Sequence, residues 1–435
     1  MERHSSRTYV AALSTALLVA IPNNVKTAQI NYQLEASLLG SDNINLDSDS
    51  ETSETVVIPR LRFDAIQEGA RVRMQARGEM EYRHYTQNNF QDESRGEFAG
   101  QLNWTVLPER VSLVVEDYLS YQPIDIREGS SPGNLQQTNI LVSGPSFIAA
   151  ITERTKALVE LRVAKTNAEV TEEFDGGRYS AAARLQHGFS ETQSGSINLV
   201  STKVEFDHDL GGADYRRDDG FVQYRRNGAN ATLTADAGHS RLRASGRDTD
   251  SSALFRIDID WRATAKSTLS GRLRYQLADS VQDLITRHGD LDEPMIPQLA
   301  QSAILVNSDV YQQRRVEFDY RFRGERVIAR LRPAYQKARY ISDALDDQNI
   351  RDGYIEFGYR VRPLIVVSAR ASARDRNYIV QQRRDRDRVY GLGFEQRLNR
   401  HWSWEAEILR NTRDSTAIGR DYEENSIGLA VIWRR

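Results

Sequence analysis

The chain has 435 residues, a formal net charge of −3 and no cysteine, which excludes structural disulfides, thiolate metal sites and cysteine nucleophiles. So even a balance points away from nucleic acid as a partner, yet the cations are lopsided, because only six of the 58 Lys plus Arg are Lys. No segment beyond the N-terminus approaches the roughly 20 apolar residues of a transmembrane helix, a test that is blind to barrel strands, in which only alternate residues need be apolar.

Residues 1–28 read as a targeting signal. Arg3 and Arg7 precede an apolar run from Val10 to Ile21, and small residues follow at Thr27 and Ala28. Cleavage is expected after Ala28; Lys26 makes that site imperfect and leaves Ala20 as the alternative. The mature chain, 29–435, is then one β-barrel domain whose first strand begins near Ile30.

The segment Asp42 to Glu54 concentrates carboxylates at Asp42, Asp47, Asp49, Glu51 and Glu54. Such oxygens suit Ca²⁺ or Mg²⁺ bridged to lipopolysaccharide phosphates, but the spacing fits no EF-hand and a solvated loop is the favoured reading. No metal and no cofactor is expected. Beyond this loop, Val72, Met74, Ala76 and Met80 alternate with Arg71, Arg73, Gln75, Arg77 and Glu79, the period of a strand with two unlike faces.

The pattern repeats along the chain. Phe255, Ile257, Ile259, Trp261 and Ala263 oppose Arg256, Asp258, Asp260, Arg262 and Thr264; Val316, Phe318, Tyr320 and Phe322 oppose Arg315, Glu317, Asp319, Arg321 and Arg323. Val327, Ala329 and Leu331 interleave with Arg330 and Arg332, and Ile355, Phe357, Tyr359 and Val361 with Glu356, Arg360 and Arg362.

A soluble antiparallel sandwich also alternates, with its apolar face as the core. Two features favour a transmembrane up-and-down antiparallel β-barrel instead. Tight links at Leu107–Arg110, Asn227–Ala229, Thr264–Lys266, Gly324–Glu325, Arg362–Pro363 and Leu398–Arg400 alternate with long polar loops at Ser41–Glu54, Pro123–Gln137, Thr166–Gly177, Ser280–Asn307 and Asp375–Asp387, the asymmetry of periplasmic turns and external loops. All five tryptophans, Trp104, Trp261, Trp402, Trp404 and Trp433, lie on the apolar parity at the tight-turn end, where a membrane interface holds an indole with its N–H wet. The count is about 20 strands, within a range of 18 to 20, with both termini periplasmic. Pro123–Gln137 and Ser280–Asn307 are the loops expected to occlude the lumen in part.

The pattern Ser41-Asp42-Asn43-Ile44-Asn45-Leu46, with Gln137-Thr138-Asn139, Arg413-Asp414-Ser415, Asp421-Tyr422-Glu423-Glu424-Asn425 and Ile427-Gly428-Leu429, resembles the outer-membrane β-barrel porin family associated with exopolysaccharide and PEP-CTERM gene clusters. The resemblance spans nearly the whole mature chain. It implies a bacterial outer-membrane location, a link to surface polysaccharide and assembly by the barrel-assembly machinery, and it supplies no catalytic residues. Members usually end in an aromatic; here Trp433 is followed by Arg434 and Arg435, so that signal is shifted by two residues.

The chemistry concentrates in arginines on the charged parity between Phe255 and Asn377: Arg256, Arg262, Arg272, Arg274, Arg315, Arg321, Arg323, Arg330, Arg332, Arg360, Arg362, Arg370 and Arg374. As a lumen lining they would attract anions, including acidic polysaccharide; paired with Asp258, Asp260, Glu317, Asp319 and Glu356, they would brace the wall.

Enzymatic readings are weak. Asp207-His208-Asp209 and His239-Ser240 place neighbours on opposite sides of an extended chain, and His84, His187 and His401 lack a nucleophile nearby in sequence. No enzyme is expected. The leading expectation is a passive conduit linked to exopolysaccharide export; the alternative is a non-conducting structural or surface-recognition barrel contacting polysaccharide or partner proteins.

Overall fold

A computed structural model describes residues 28–207, 213–289 and 306–435. The expected signal segment therefore lies outside the described residues except for Ala28, as do His208 and Asp209.

Among the described residues, twenty antiparallel strands follow one another in chain order. They are β1 (Gln29–Ser41), β2 (Glu54–Glu68), β3 (Val72–Tyr85), β4 (Glu93–Leu107), β5 (Val111–Pro123), β6 (Leu135–Ala150) and β7 (Thr155–Ala168). Next come β8 (Gly176–Ser190), β9 (Gln193–Phe206), β10 (Tyr215–Asn227), β11 (Ala231–Ala244), β12 (Asp250–Thr264) and β13 (Ser267–Asp279). A helix, α1 (Ser280–His288), precedes β14 (Val310–Arg323), β15 (Val327–Tyr340), β16 (Gln348–Arg362), β17 (Ile365–Tyr378), β18 (Arg383–Arg397), β19 (Trp402–Ser415) and β20 (Tyr422–Arg434). Each strand pairs with its chain neighbours, and β1 closes on β20 from Gln33 opposite Arg434 to Ser41 opposite Ser426. Closure leaves no unpaired sheet edge, the condition for crossing a bilayer with strands.

The faces distinguish a membrane barrel from a sandwich. Val316, Ile355, Leu392 and Leu429 are 49–62% exposed, while Glu317 and Asp319, on the other parity of β14, are 6% and 5% exposed. Apolar side chains thus face outward and charges inward, the reverse of a soluble core. Strands of 13 to 16 residues exceed the roughly 9 to 11 a tilted strand needs to cross the hydrocarbon, so their ends project beyond it.

Connections from even to odd strands have two to four residues, and those from odd to even run from four residues between β17 and β18 to the thirty of 280–309. Three expected loops are shorter than their sequences suggest. Asp375–Asp387 is mostly strand, with only 379–382 between β17 and β18; β7 runs to Ala168 and β8 starts at Gly176; β6 starts at Leu135. These strand ends project past the apolar belt, where both faces meet polar surroundings and the alternation vanishes. Ser280–Asn307 is also not simply a polar loop, because its first nine residues form α1, capped by the Asp279 carboxylate accepting from the Gln282 N–H at 3.0 Å.

Candidate functional site

The inner wall is built on two carboxylates of β14. Glu317 accepts from Arg332 of β15 at 2.7 Å, meets Arg315 two residues back on its own strand and Arg272 of β13 at 3.5 Å. Asp319 holds Arg321 at 3.1 Å and Arg330 of β15. Arg321 and Arg330 stand directly opposite each other, and the carboxylate between them offsets a repulsion that the register would otherwise impose.

The other arginines singled out in the sequence divide by height in the barrel. Arg256 binds Asp236 at 2.8 Å and lies over the Phe221 ring, Arg274 binds Asp258, Arg370 binds Glu407 and Arg374 binds Asp352. Arg262, Arg323, Arg360 and Arg362 are exposed at the short-turn rim. There Arg360 donates to the Glu325 carbonyl at 2.6 Å, and the other three make no ion pair among the described residues. Of the acids proposed as partners, Asp260 instead accepts from the Ser270 hydroxyl at 2.6 Å and Glu356 from the Tyr354 hydroxyl at 3.1 Å.

A second charged cluster was missed in the sequence because its members come from three strands. Arg60 contacts Glu35 at 2.7 Å, Glu79 at 2.9 Å and Glu81 at 2.6 Å; Arg62 shares Glu35 and Glu79, and Arg83 binds Glu81. The cluster walls a cavity of about 970 Å³ that also meets Arg77, Arg95, Tyr121 and Arg370. The alternation of Glu79 with Met80 was a usable signal; its arginine partners on β2 were not adjacent in sequence.

Two segments reach inward from the long-loop end. In the β5–β6 connection, Asn134 braces the turn by donating to the Asp125 and Gly129 carbonyls at 2.8 and 2.9 Å. Arginines of the far wall then grip its backbone: Arg376 donates to the Ile126 carbonyl at 2.9 Å, and Arg383 and Arg413 donate to that of Arg127. Arg420 adds an ion pair to Glu128 at 2.7 Å. A pocket of about 250 Å³ remains between this loop and the wall, beside Arg374, Arg376 and Asp387.

The second segment is α1. Its residues Val281, Leu284 and Ile285 pack on Ala99, Tyr118, Ile140, Val142, Ala164 and Phe174 of the inner wall and the β7–β8 connection. At its end, Gln101 donates to the Gly289 carbonyl at 3.0 Å and Arg77 to that of His288 at 3.5 Å. Asp283 accepts from the Tyr311 hydroxyl and from Gln313.

Burial lowers the His288 imidazole to about 4, helped by Arg287 and Arg77, and raises the Asp283 carboxyl despite its hydrogen bonds. Neutral His288 favours the docked helix fully above its ordinary value of 6.5, and this contribution, at most roughly 3 kcal/mol, is lost as pH falls toward 4. Asp283 acts oppositely, since the docked form binds its proton more readily. Asp283→Asn should therefore steepen the acid loss of hydrogen-exchange protection over 280–289; an unchanged profile in the variant contradicts this balance.

The remaining candidates serve local structure. Asp47 accepts from the backbone of Asp49 and Ser50, which holds its carboxyl below the usual range, and Asp42 accepts from Asn425. His84 meets Asp92, His187 meets Thr155 and His401 meets the Arg434 carbonyl. His239 and Ser240 face opposite sides, with Ser240 1% exposed. Asp207 pairs with Lys165. Among the described residues no group of three or more His, Asp or Glu is placed to hold a metal.

The tryptophans lie at the short-turn end. Trp402 stands opposite Trp433, Trp433 contacts Tyr32 at 5.5 Å between ring centres, and Trp404 contacts Phe394 at 4.9 Å. Trp104 and Trp261 are 47% and 46% exposed on the outer face.

No family model and no curated protein matches the chain. Among solved structures it is similar to Acinetobacter baumannii OccAB4, at 8% identity and TM-score 0.37, covering 95% of this chain and 100% of that one. It is also similar to Pseudomonas aeruginosa OprD, at 10% identity and TM-score 0.35, covering 95% and 97%. A third similar structure is Pseudomonas aeruginosa OccK2 (OpdF) in complex with glucuronate, at 11% identity and TM-score 0.39, covering 94% and 99%.

Proposed function

We propose that the chain is a passive porin-like conduit of the bacterial outer membrane for anionic solutes, linked to export of an acidic exopolysaccharide. The observation that carries the reading is a closed barrel whose inner wall is charged and keeps a cavity of about 970 Å³ beside the β5–β6 connection. The polysaccharide link rests on the sequence resemblance. Wall carboxylates already bind most mid-barrel arginines, so selectivity is assigned to the rim, where Arg262, Arg323, Arg360 and Arg362 gather positive potential at a mouth. Glutamine at all four positions should shift the zero-current potential in a salt gradient toward that of a non-selective pore, with single-channel conductance changed less than about twofold. Unaltered selectivity would remove the rim from the mechanism. Block of the current by oligogalacturonate, but not by neutral dextran of equal length, tests the polysaccharide link, and equal block by both would argue against it.

A second reading, a non-conducting structural or surface-recognition barrel, draws on how firmly α1 and the β5–β6 loop are seated. Folded protein that carries no current in planar bilayers would favour it.

A further inference from the structure

The outward-facing parity changes character along β14 to β19. Near the short turns it is apolar and aromatic, with Phe322, Tyr359 and Trp404. At the opposite ends the same face carries Arg314, Lys337, Arg351, Arg386, Arg388 and Arg410. The pairing register sets them side by side: Arg314 is opposite Lys337, Arg351 is opposite Tyr335 and Asp375, and Arg386 is opposite Asp375 and Asp414. Each stands on its strand just beyond the apolar belt, Arg314 two residues from Val316 and Arg410 two residues from Ile408, which are 55% and 56% exposed.

The acids on this arc are fewer than its cations and offset only part of the charge, Asp375 lying between Arg351 and Arg386 in the register. Asp375 is held by Arg384, Asp414 by Arg388 at 3.0 Å and Glu423 by Arg410 at 2.8 Å. Arg351 and Arg386 are exposed and make no hydrogen bond or ion pair among the described residues, and Arg314 has only Gln312 and the Tyr275 ring. Guanidinium groups that face away from the lumen cannot guide a solute through it. On the outer-membrane placement proposed above, this height is that of the headgroups of the long-loop leaflet, with the exposed apolar belt below facing acyl chains. A guanidinium binds phosphate bidentately, and basic side chains beside a membrane attract anionic headgroups.

We infer that the outer wall of β14 to β19 is a docking face for a phosphorylated glycolipid of the external leaflet, of the lipid A type, with Arg314, Arg351 and Arg386 receiving its phosphates. The inference rests on the outer-membrane placement proposed above and not on conduction.

The test uses the full folded chain in phosphatidylcholine nanodiscs carrying bisphosphorylated lipid A or its dephosphorylated form, with lipid co-isolated with the barrel counted by mass spectrometry. Enrichment of the phosphorylated lipid by roughly tenfold is expected, and Arg351→Gln with Arg386→Gln should remove most of it. Neither residue makes an ion pair among the described residues, and Asp375 between them keeps Arg384, so the variant should keep heat-modifiable migration. Equal retention of the two lipids overturns the proposal, as does enrichment unchanged in the variant. Release of the lipid by millimolar orthophosphate would assign the arc to free anions instead and also overturns it. A barrel that selects lipid A but carries no current sinks the conduit alone; current without lipid selection sinks the docking face alone.

Discussion

Glutamine in place of Glu317 is expected to cost on the order of 3 kcal/mol of unfolding free energy, among the largest effects of any single substitution in the wall. The carboxylate is 6% exposed and is shared by Arg315, Arg332 and Arg272, which come from three adjacent strands. Removing its charge leaves the guanidinium groups of three adjacent strands close together without the anion they share, although Arg315 keeps its bond to Gln336 at 2.8 Å. The arginines are partly wet, so water in the lumen screens some of the repulsion and keeps the effect at the lower end of what a fully buried pair would show. Urea unfolding of the folded protein in detergent micelles, followed by loss of heat-modifiable migration, reads this directly. A midpoint unchanged in the variant would mean that the carboxylate is not holding the strands. Arg323→Gln is the matched control, because Arg323 is exposed at the rim and should change stability by less than about 0.5 kcal/mol.

Aspartate in place of Leu284 should release α1 from the wall and raise single-channel conductance severalfold. Leu284 is 1% exposed, and its neighbours Ile140, Val142 and Phe174 offer a carboxylate no hydrogen bond. Docking loses about 2 kcal/mol of apolar burial and adds the larger cost of an unpaired buried charge, while the barrel strands keep all their pairings. The structure thus predicts a wider path through an intact barrel. Hydrogen exchange over 280–289 should rise in parallel, and unaltered conductance with an exposed helix would show that α1 does not narrow the path.

How far the architecture was legible depends on which physics governed each segment. Phe255 to Ala263 could be read correctly because lipid on one side and water on the other impose an alternation that needs no knowledge of neighbours. The alternation failed at Asp375–Asp387, where the strands rise out of the hydrocarbon and outward residues such as Asp375 and Arg386 are as polar as inward ones. α1 was hidden for a different reason: Val281, Leu284 and Ile285 give only one helical turn of apolar spacing, too little to stand out from the polar residues around it. Among the arginines, composition showed where charge would gather, but the choice between a bracing ladder and an open basic wall turns on register. Only pairing reveals that Asp319 sits between Arg321 and Arg330, or that Arg60 reaches carboxylates on β1 and β3. The arginine grip on the Ile126 and Arg127 carbonyls left no sequence signal at all, since a backbone acceptor has no residue identity.

The most direct test of the central claim is single-channel recording from the refolded, heat-modifiable protein in a planar bilayer under a salt gradient. Discrete current steps are expected, with a zero-current potential displaced toward anions and larger steps for Leu284→Asp. Absence of current from both proteins, with folding verified in the same preparation, would contradict it.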